Sequence, residues 1–157
     1  MLTRSPLPSD REQLVEIISQ GAGFRPQEIA IAIELLDAAL ARAEGNTYEA
    51  LVAVDDPAGQ LTGYACYGAT PMTDATFDLY WLVVADGARG RGLGAALFSA
   101  VVNELAGRAK LIRVETSSLE GQGGARRFYE KTGFKLAGAI PDFYRKGDDL
   151  LVFAKVL

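Results

Sequence analysis

Apolar residues recur at helical spacing in the first part of the chain, and then the period shortens. Leu14, Ile17 and Ile18 share one face of a short segment that Ser9-Asp10 is placed to cap and that Gly21-Ala22-Gly23 ends. Pro26 suits the first turn of a second helix over about 26–43, with Ile29, Ile33, Leu36 and Leu40 as its core stripe. From Tyr48 the pattern becomes that of strands. A strand over 48–54, a turn at Asp55-Asp56-Pro57-Ala58-Gly59 and a return strand over 60–69 are followed by a strongly apolar strand over 76–84. A loop over 87–94 leads into a helix marked by Leu93, Leu97, Val101 and Leu105. A strand over 111–116, a helix over 125–131 stopped by Gly133, and strands over 134–139 and 150–156 complete the order. This order predicts an α/β fold in which a βαβ unit follows an antiparallel meander.

Composition narrows the chemistry. The 157 residues suit one domain over 1–157, with enough apolar content for a core. Twenty acidic residues against sixteen basic ones leave a net charge of −4, which argues against a nucleic-acid partner. There is no histidine, so catalysis by a histidine-assisted serine or cysteine is excluded, and no metal site is expected. Cys66 is the sole cysteine, which rules out an intrachain disulfide. Met1 to Pro6 carries no apolar secretory core, and no apolar run approaches the ~20 residues that span a bilayer. No membrane partner and a reducing cytoplasm are therefore expected. The closing strand Leu150-Leu151-Val152-Phe153-Ala154 is apolar, and at a sheet edge it would favour a homodimer.

The densest local signal is Val83-Val84-Ala85-Asp86-Gly87-Ala88-Arg89-Gly90-Arg91-Gly92-Leu93-Gly94, which leaves a buried strand and enters a helix. A helix N-terminus presents unpaired N–H groups and the positive end of a dipole. Glycines let that backbone close on an anion, and Arg89 and Arg91 add planar donors suited to phosphate oxygens. The alternative is a solvated basic turn. The pattern lacks the Gly-x-x-x-x-Gly-Lys-Ser/Thr of a nucleotide hydrolase, and its Gly90, Gly92, Gly94 spacing is not that of a dinucleotide fold.

Arg89-x-x-Gly92-x-Gly94 after Val84 resembles the pyrophosphate motif of the GNAT superfamily of acyl-CoA-dependent N-acetyltransferases. Ala125-Arg126-Arg127-Phe128-Tyr129-Glu130-Lys131-Thr132-Gly133-Phe134 resembles the same family's A-x-x-(F/L)-Y-x-x-x-G-F helix and turn. Where the family often has asparagine, three residues before the motif alanine, this chain has Gln122. The resemblance implies one GNAT-like domain, a mostly antiparallel sheet of six or seven strands splayed at its middle and flanked by about four helices. It implies acetyl-CoA as co-substrate, with the pantetheine against the backbone of Leu82, Val83 and Val84. The pyrophosphate would then sit on Arg89, Gly90, Arg91, Gly92, Leu93 and Gly94.

Direct transfer to an amine acceptor needs a proton acceptor and a proton donor. Asp78, on the third meander strand, stands where a glutamate base stands in part of the family, and Glu115 is its rival. Tyr129 matches the family tyrosine that protonates the leaving thiolate; its phenol, with pKa near ~10, is suited to that transfer. Adjacent aromatics cannot share a helix face, so of Phe128 and Tyr129 one is expected on the core and one on the cofactor. Lys131, with Arg126 and Arg127, is a candidate for the adenosine phosphate or for a solvated surface. The acceptor pocket is expected from the helix at 26–43 and the 140–149 loop, with Glu34, Tyr80, Asp142 and Tyr144 as candidates among acids and aromatics suited to a cationic amine. Two alternatives stay open: a non-catalytic acyl-CoA-binding or sensing domain, and a nucleotide-binding enzyme of another class.

Overall fold

A computed structural model describes residues 2–21, 23–55, 59–119 and 123–157. In chain order these form β1 (Leu2–Arg4), α1 (Arg11–Ser19), α2 (Pro26–Ala41), β2 (Tyr48–Asp55), β3 (Gln60–Ala69) and β4 (Thr76–Val84). After β4 come α3 (Leu93–Glu104), β5 (Leu111–Ser117), α4 (Gly123–Lys131), β6 (Lys135–Arg145) and β7 (Asp148–Val156). The described residues build one seven-stranded sheet in the order β1-β2-β3-β4-β5-β7-β6. The expected mixed, mostly antiparallel sheet is present, and so is its splay. Among the described residues, no helix is long and apolar enough to cross a membrane.

The sheet is covered on both faces. α3 and α4 pack with Leu51, Ala65, Tyr67, Phe77, Leu79, Val114 and Phe153 on one side. α1 and α2 pack with Val52, Val54, Leu61, Tyr64 and Cys66 on the other. Each fully buried large side chain, such as Leu36, Leu97 or Phe153, stabilises the fold by roughly 1.5–3 kcal/mol. Coverage of both faces explains why β3 is buried at every position from Leu61 to Gly68.

β4 contains a bulge that the sequence pattern does not reveal. Cys66 pairs with Trp81 and Tyr67 pairs with Leu79, so Tyr80 is an extra residue. The bulge reverses the facing of β4. Phe77 and Leu79 belong to the α3 side, whereas Trp81 and Val83 pack on the α1 and α2 side.

Several expectations are corrected. β1 was not legible, since three residues carry too little period; it pairs with Val52–Val54, and Arg4 grips Asp10 at 2.6 and 3.0 Å. Asp10 is therefore spent on Arg4 and on the Leu7 amide rather than on capping α1. α2 stops at Ala41 because Arg42 turns left-handed, φ 46°. The 134–139 strand runs on through Pro141 to Arg145, which the sheet edge tolerates because no ladder donor is needed there. The edge strands are β1 and β6, the latter exposed along its length, while β7 lies between β5 and β6 and is no edge. In the Asp55–Gly59 turn, residues 56–58 lie outside the described residues; the Gly59 amide donates to Asp55 at 2.8 Å. Gln122 also lies outside them.

Candidate active site

β4 and β5 run parallel, and their register holds for three pairs only: Thr76 with Leu111, Phe77 with Ile112 and Asp78 with Arg113. Beyond Asp78 the strands part, and a cavity of about 720 Å³ opens between them. Asp78 to Val84 form one wall and Arg113 to Ser117 the other. The loop before α3, the face of α4, the segment from α1 into α2, and Tyr144 of β6 close its ends.

At one end stands the glycine loop. Gly90 and Gly92 take φ of 75° and 76°, a left-handed backbone that side chains disfavour. α3 begins at Leu93, and its first described backbone bond runs from the Ala96 amide to Gly92. The amides of Leu93, Gly94 and Ala95 therefore have no helical acceptor and point out of the helix start. Gly94 faces Phe128 of α4, where an added Cβ would stand in ordinary contact at 3.4 Å. Arg89 reaches the cavity but is already engaged. Its guanidinium pairs with Asp86 at 2.5 Å and donates to the carbonyls of Val84 at 3.2 Å and Gln20 at 2.9 Å. It thus braces the loop against the end of α1.

Of the residues expected around the cofactor, Leu82, Val83, Val84, Arg89, Gly90, Gly94 and Phe128 line the cavity. Arg91, Gly92, Leu93 and Lys131 do not; Arg91 and Lys131 project into solvent. Gly92 is the left-handed N-cap of α3, and Leu93 is its first residue.

Phe128 and Tyr129 both line the cavity, which corrects the expectation that one would face the core and the other the cofactor. Tyr129 is also packed on Phe134 and Phe153, with ring centroids 5.3 and 5.9 Å away, while Phe128 meets Phe98 at 6.4 Å. Consecutive side chains diverge by about 100° on a helix, and a concave wall lets both reach the same space. Burial pushes the Tyr129 phenol up to about 12, so it keeps its proton at neutral pH.

At the fork, Asp78 accepts from Arg113 Nε at 2.6 Å through Oδ1 and from the Thr70 hydroxyl at 2.8 Å through Oδ2. The bond to Asp78 raises the Arg113 pKa further above neutrality. Glu115 is held more loosely, 3.7 Å from Arg113, with a side chain 47% exposed. Arg113 and Thr70 were not singled out from the sequence. No motif marks them, since their role comes from the register between β4 and β5 and from the turn before β4.

The far end is aromatic and acidic. Phe24 and Trp81 meet edge to face at 5.0 Å, and Tyr80 lines the cavity at the bulge. Tyr144 arrives from β6, with Arg25 over its ring at 5.8 Å. Glu28 is a cavity residue that sequence reasoning missed. The candidates Glu34 and Asp142 are corrected. Glu34 lies on the exposed face of α2, outside the cavity. Asp142, at φ 54°, accepts from the Gly147 amide at 2.6 Å and shapes the β6–β7 turn.

Comparison with known proteins bears on this geometry. Residues 46–136 match the model of the acetyltransferase (GNAT) domain. A solved GNAT-family structure from Desulfovibrio desulfuricans is 35% identical over 99% of this chain and 98% of its own, with a TM-score of 0.91. An aminoglycoside 6'-N-acetyltransferase complexed with coenzyme A shares the fold at 18% identity, covering 99% and 97% of the two chains, TM-score 0.77. The ribosomal-protein-S18-alanine N-acetyltransferase of Escherichia coli shares it at 19% identity, covering 99% and 92%, TM-score 0.76. No curated protein matches the sequence.

Proposed function

This chain belongs to the GNAT family of acetyltransferases, and we propose that it moves an acetyl group from acetyl-CoA to a primary amine by direct attack in a ternary complex. The observation that carries this is the parting of β4 from β5 after Asp78. It leaves Leu79 to Val84 without a ladder partner on the β5 side, in a cleft that ends at amides of a helix N-terminus. An extended amide-bearing arm fits the open strand edge, and a diphosphate fits the amides. These are the two halves of an acyl-CoA.

In this mechanism the amine nitrogen attacks the thioester carbonyl carbon. A C–N bond forms, the C–S bond breaks, one proton leaves the nitrogen and one reaches the sulfur. Tyr129 lines the cavity with a protonated phenol and is assigned as donor to the thiolate. Asp78, the base expected from the sequence, has both oxygens engaged by Arg113 and Thr70. We assign proton acceptance instead to Glu115, half-exposed in the same cavity, acting through a water, with Asp78 positioning Arg113. A lysine-type amine, pKa ~10.4, is mostly protonated at neutral pH, so the rate should climb with pH as the neutral fraction grows.

The test is coenzyme A release from acetyl-CoA with a panel of amines, beside calorimetric binding of coenzyme A. Glu115→Gln is expected to lower kcat by about 10²-fold with coenzyme A affinity little changed. Binding of acetyl-CoA without release by any amine would instead favour a non-catalytic acyl-CoA-binding domain. Stabilisation by ATP or NAD but not by coenzyme A would point to another enzyme class.

A further inference from the structure

The acceptor end of the cavity holds a feature that general amine transfer does not require. Glu28 stands in the first turn of α2 and lines the cavity with Tyr144, which comes from the opposite side on β6. Glu28 is held by one oxygen. Its Oε2 accepts from the Arg25 amide at 2.7 Å and from Arg25 Nε at 3.4 Å. Both contacts fall on Oε2, and among the described residues none falls on Oε1, which leaves that oxygen for a ligand in the cavity. The Arg25 guanidinium also lies 5.8 Å over the Tyr144 ring. The protein's own cation already rests between this carboxylate and this ring, at the outer range of both interactions. The surroundings thus suit a positive charge and are not saturated by the one present.

Glu115 lines the same cavity as Tyr144, on the β5 wall. Burial is the first cause that raises the Tyr144 phenol above its ordinary value; Glu115, Glu28 and Asp148 add to it, and only Arg25 opposes. Three carboxylates, from α2, β5 and β7, thus add negative field at this phenol. Arg113, the guanidinium on the β5 wall, makes its short contact with Asp78. Asp148 is buried and pairs with Arg145 at 3.5 Å, so it supplies field rather than contact.

We propose that Glu28 and the Tyr144 ring form a specificity subsite for a second positive charge on the acceptor, so that the preferred substrate class is an amine bearing another cationic group at a distance from the reacting nitrogen. The inference rests on the assignment of this cavity as the acceptor side of an acetyltransferase, with Glu115 beside the reacting amine. The second cation would bind Glu28 Oε1 by a charge-assisted hydrogen bond and face the Tyr144 ring.

The test compares unbranched diamines of graded length with monoamines of matched length. One measurement is kcat/KM; the other is calorimetric binding of the same amines to the coenzyme A complex. A diamine of suitable length should exceed its matched monoamine on the order of tenfold in both. Glu28→Gln keeps the acceptor for the Arg25 amide and should collapse that ratio toward one. Tyr144→Leu should reduce the ratio, and Tyr144→Phe should retain most of it. Equal handling of diamines and monoamines at every length, or a ratio indifferent to Glu28→Gln, overturns the subsite while leaving amine acetylation intact. Absence of turnover with every amine would sink the acetyltransfer mechanism, and the calorimetric ratio would still decide the subsite.

Discussion

Tyr129, the proposed proton donor, sits on a buried face of α4 packed on Phe134 and Phe153, and burial pushes its phenol up to about 12. Replacing it by phenylalanine preserves that packing and removes the proton. Tyr129→Phe should lower kcat by about 10²–10³-fold, with little change in coenzyme A affinity by calorimetry. The same burial carries a pH signature. The folded phenol titrates at about 12, against an ordinary value of 10.0, so the folded state binds the proton more tightly. Its contribution to stability is complete below the unfolded value and is lost as pH rises from there through about 12. Urea unfolding of the wild type should therefore weaken in that window, and less so in Tyr129→Phe. Cys66 shows the opposite use of burial: fully enclosed, with its thiol pushed up to about 12, it is a core residue and not a nucleophile.

The loop between β4 and α3 is the element that joins the fold to the proposed coenzyme A site. Its sequence spacing was legible because glycines at Gly90 and Gly92 meet a backbone requirement that holds whatever surrounds them. Gly92→Ala forces a Cβ into a left-handed site and should cost about 1–2 kcal/mol of stability. Coenzyme A affinity should fall in parallel, read by melting temperature and calorimetry; an unchanged melting temperature would contradict the strain. The role of Arg89 was less legible. Its donors go to Asp86, Val84 and Gln20, an assignment made by the meeting of the loop with α1, two elements far apart in sequence. Long periodic elements such as α2, β3 and α3 could be read directly. β1, with three residues, and the continuation of β6 through Pro141 could not, because pairing partners and not local pattern create them.

At the scale of the whole molecule, one sheet carries a core on each face and is opened along the line where β4 leaves β5. The Asp78–Arg113 pair sits at the apex of that opening, on the last register pair. Asp78→Asn removes the close charge partner of Arg113, leaving only the looser Glu115, and should cost about 1–3 kcal/mol, at the lower side because Arg113 is part-exposed. Hydrogen exchange should accelerate in β4 beyond the fork, with β3 little affected. Exchange that stays unchanged in both strands would show that the fork is held by backbone pairing alone.

By itself the sequence determined the period of each long element, the glycine turn before α3, the paired motifs of a GNAT acetyltransferase and the exclusion of histidine chemistry. These are local properties, set by residues within a few positions of one another. Only the tertiary structure decided that Asp78 is engaged by Arg113 and Thr70, that Glu28 rather than Glu34 faces the cavity, and that Tyr144 meets Arg25 at the start of α2. It also set β6, not β7, at the edge. Each of these depends on strand register or on the approach of distant segments, and a one-residue shift in register or a bulge such as that at Tyr80 reverses which side chains share a face.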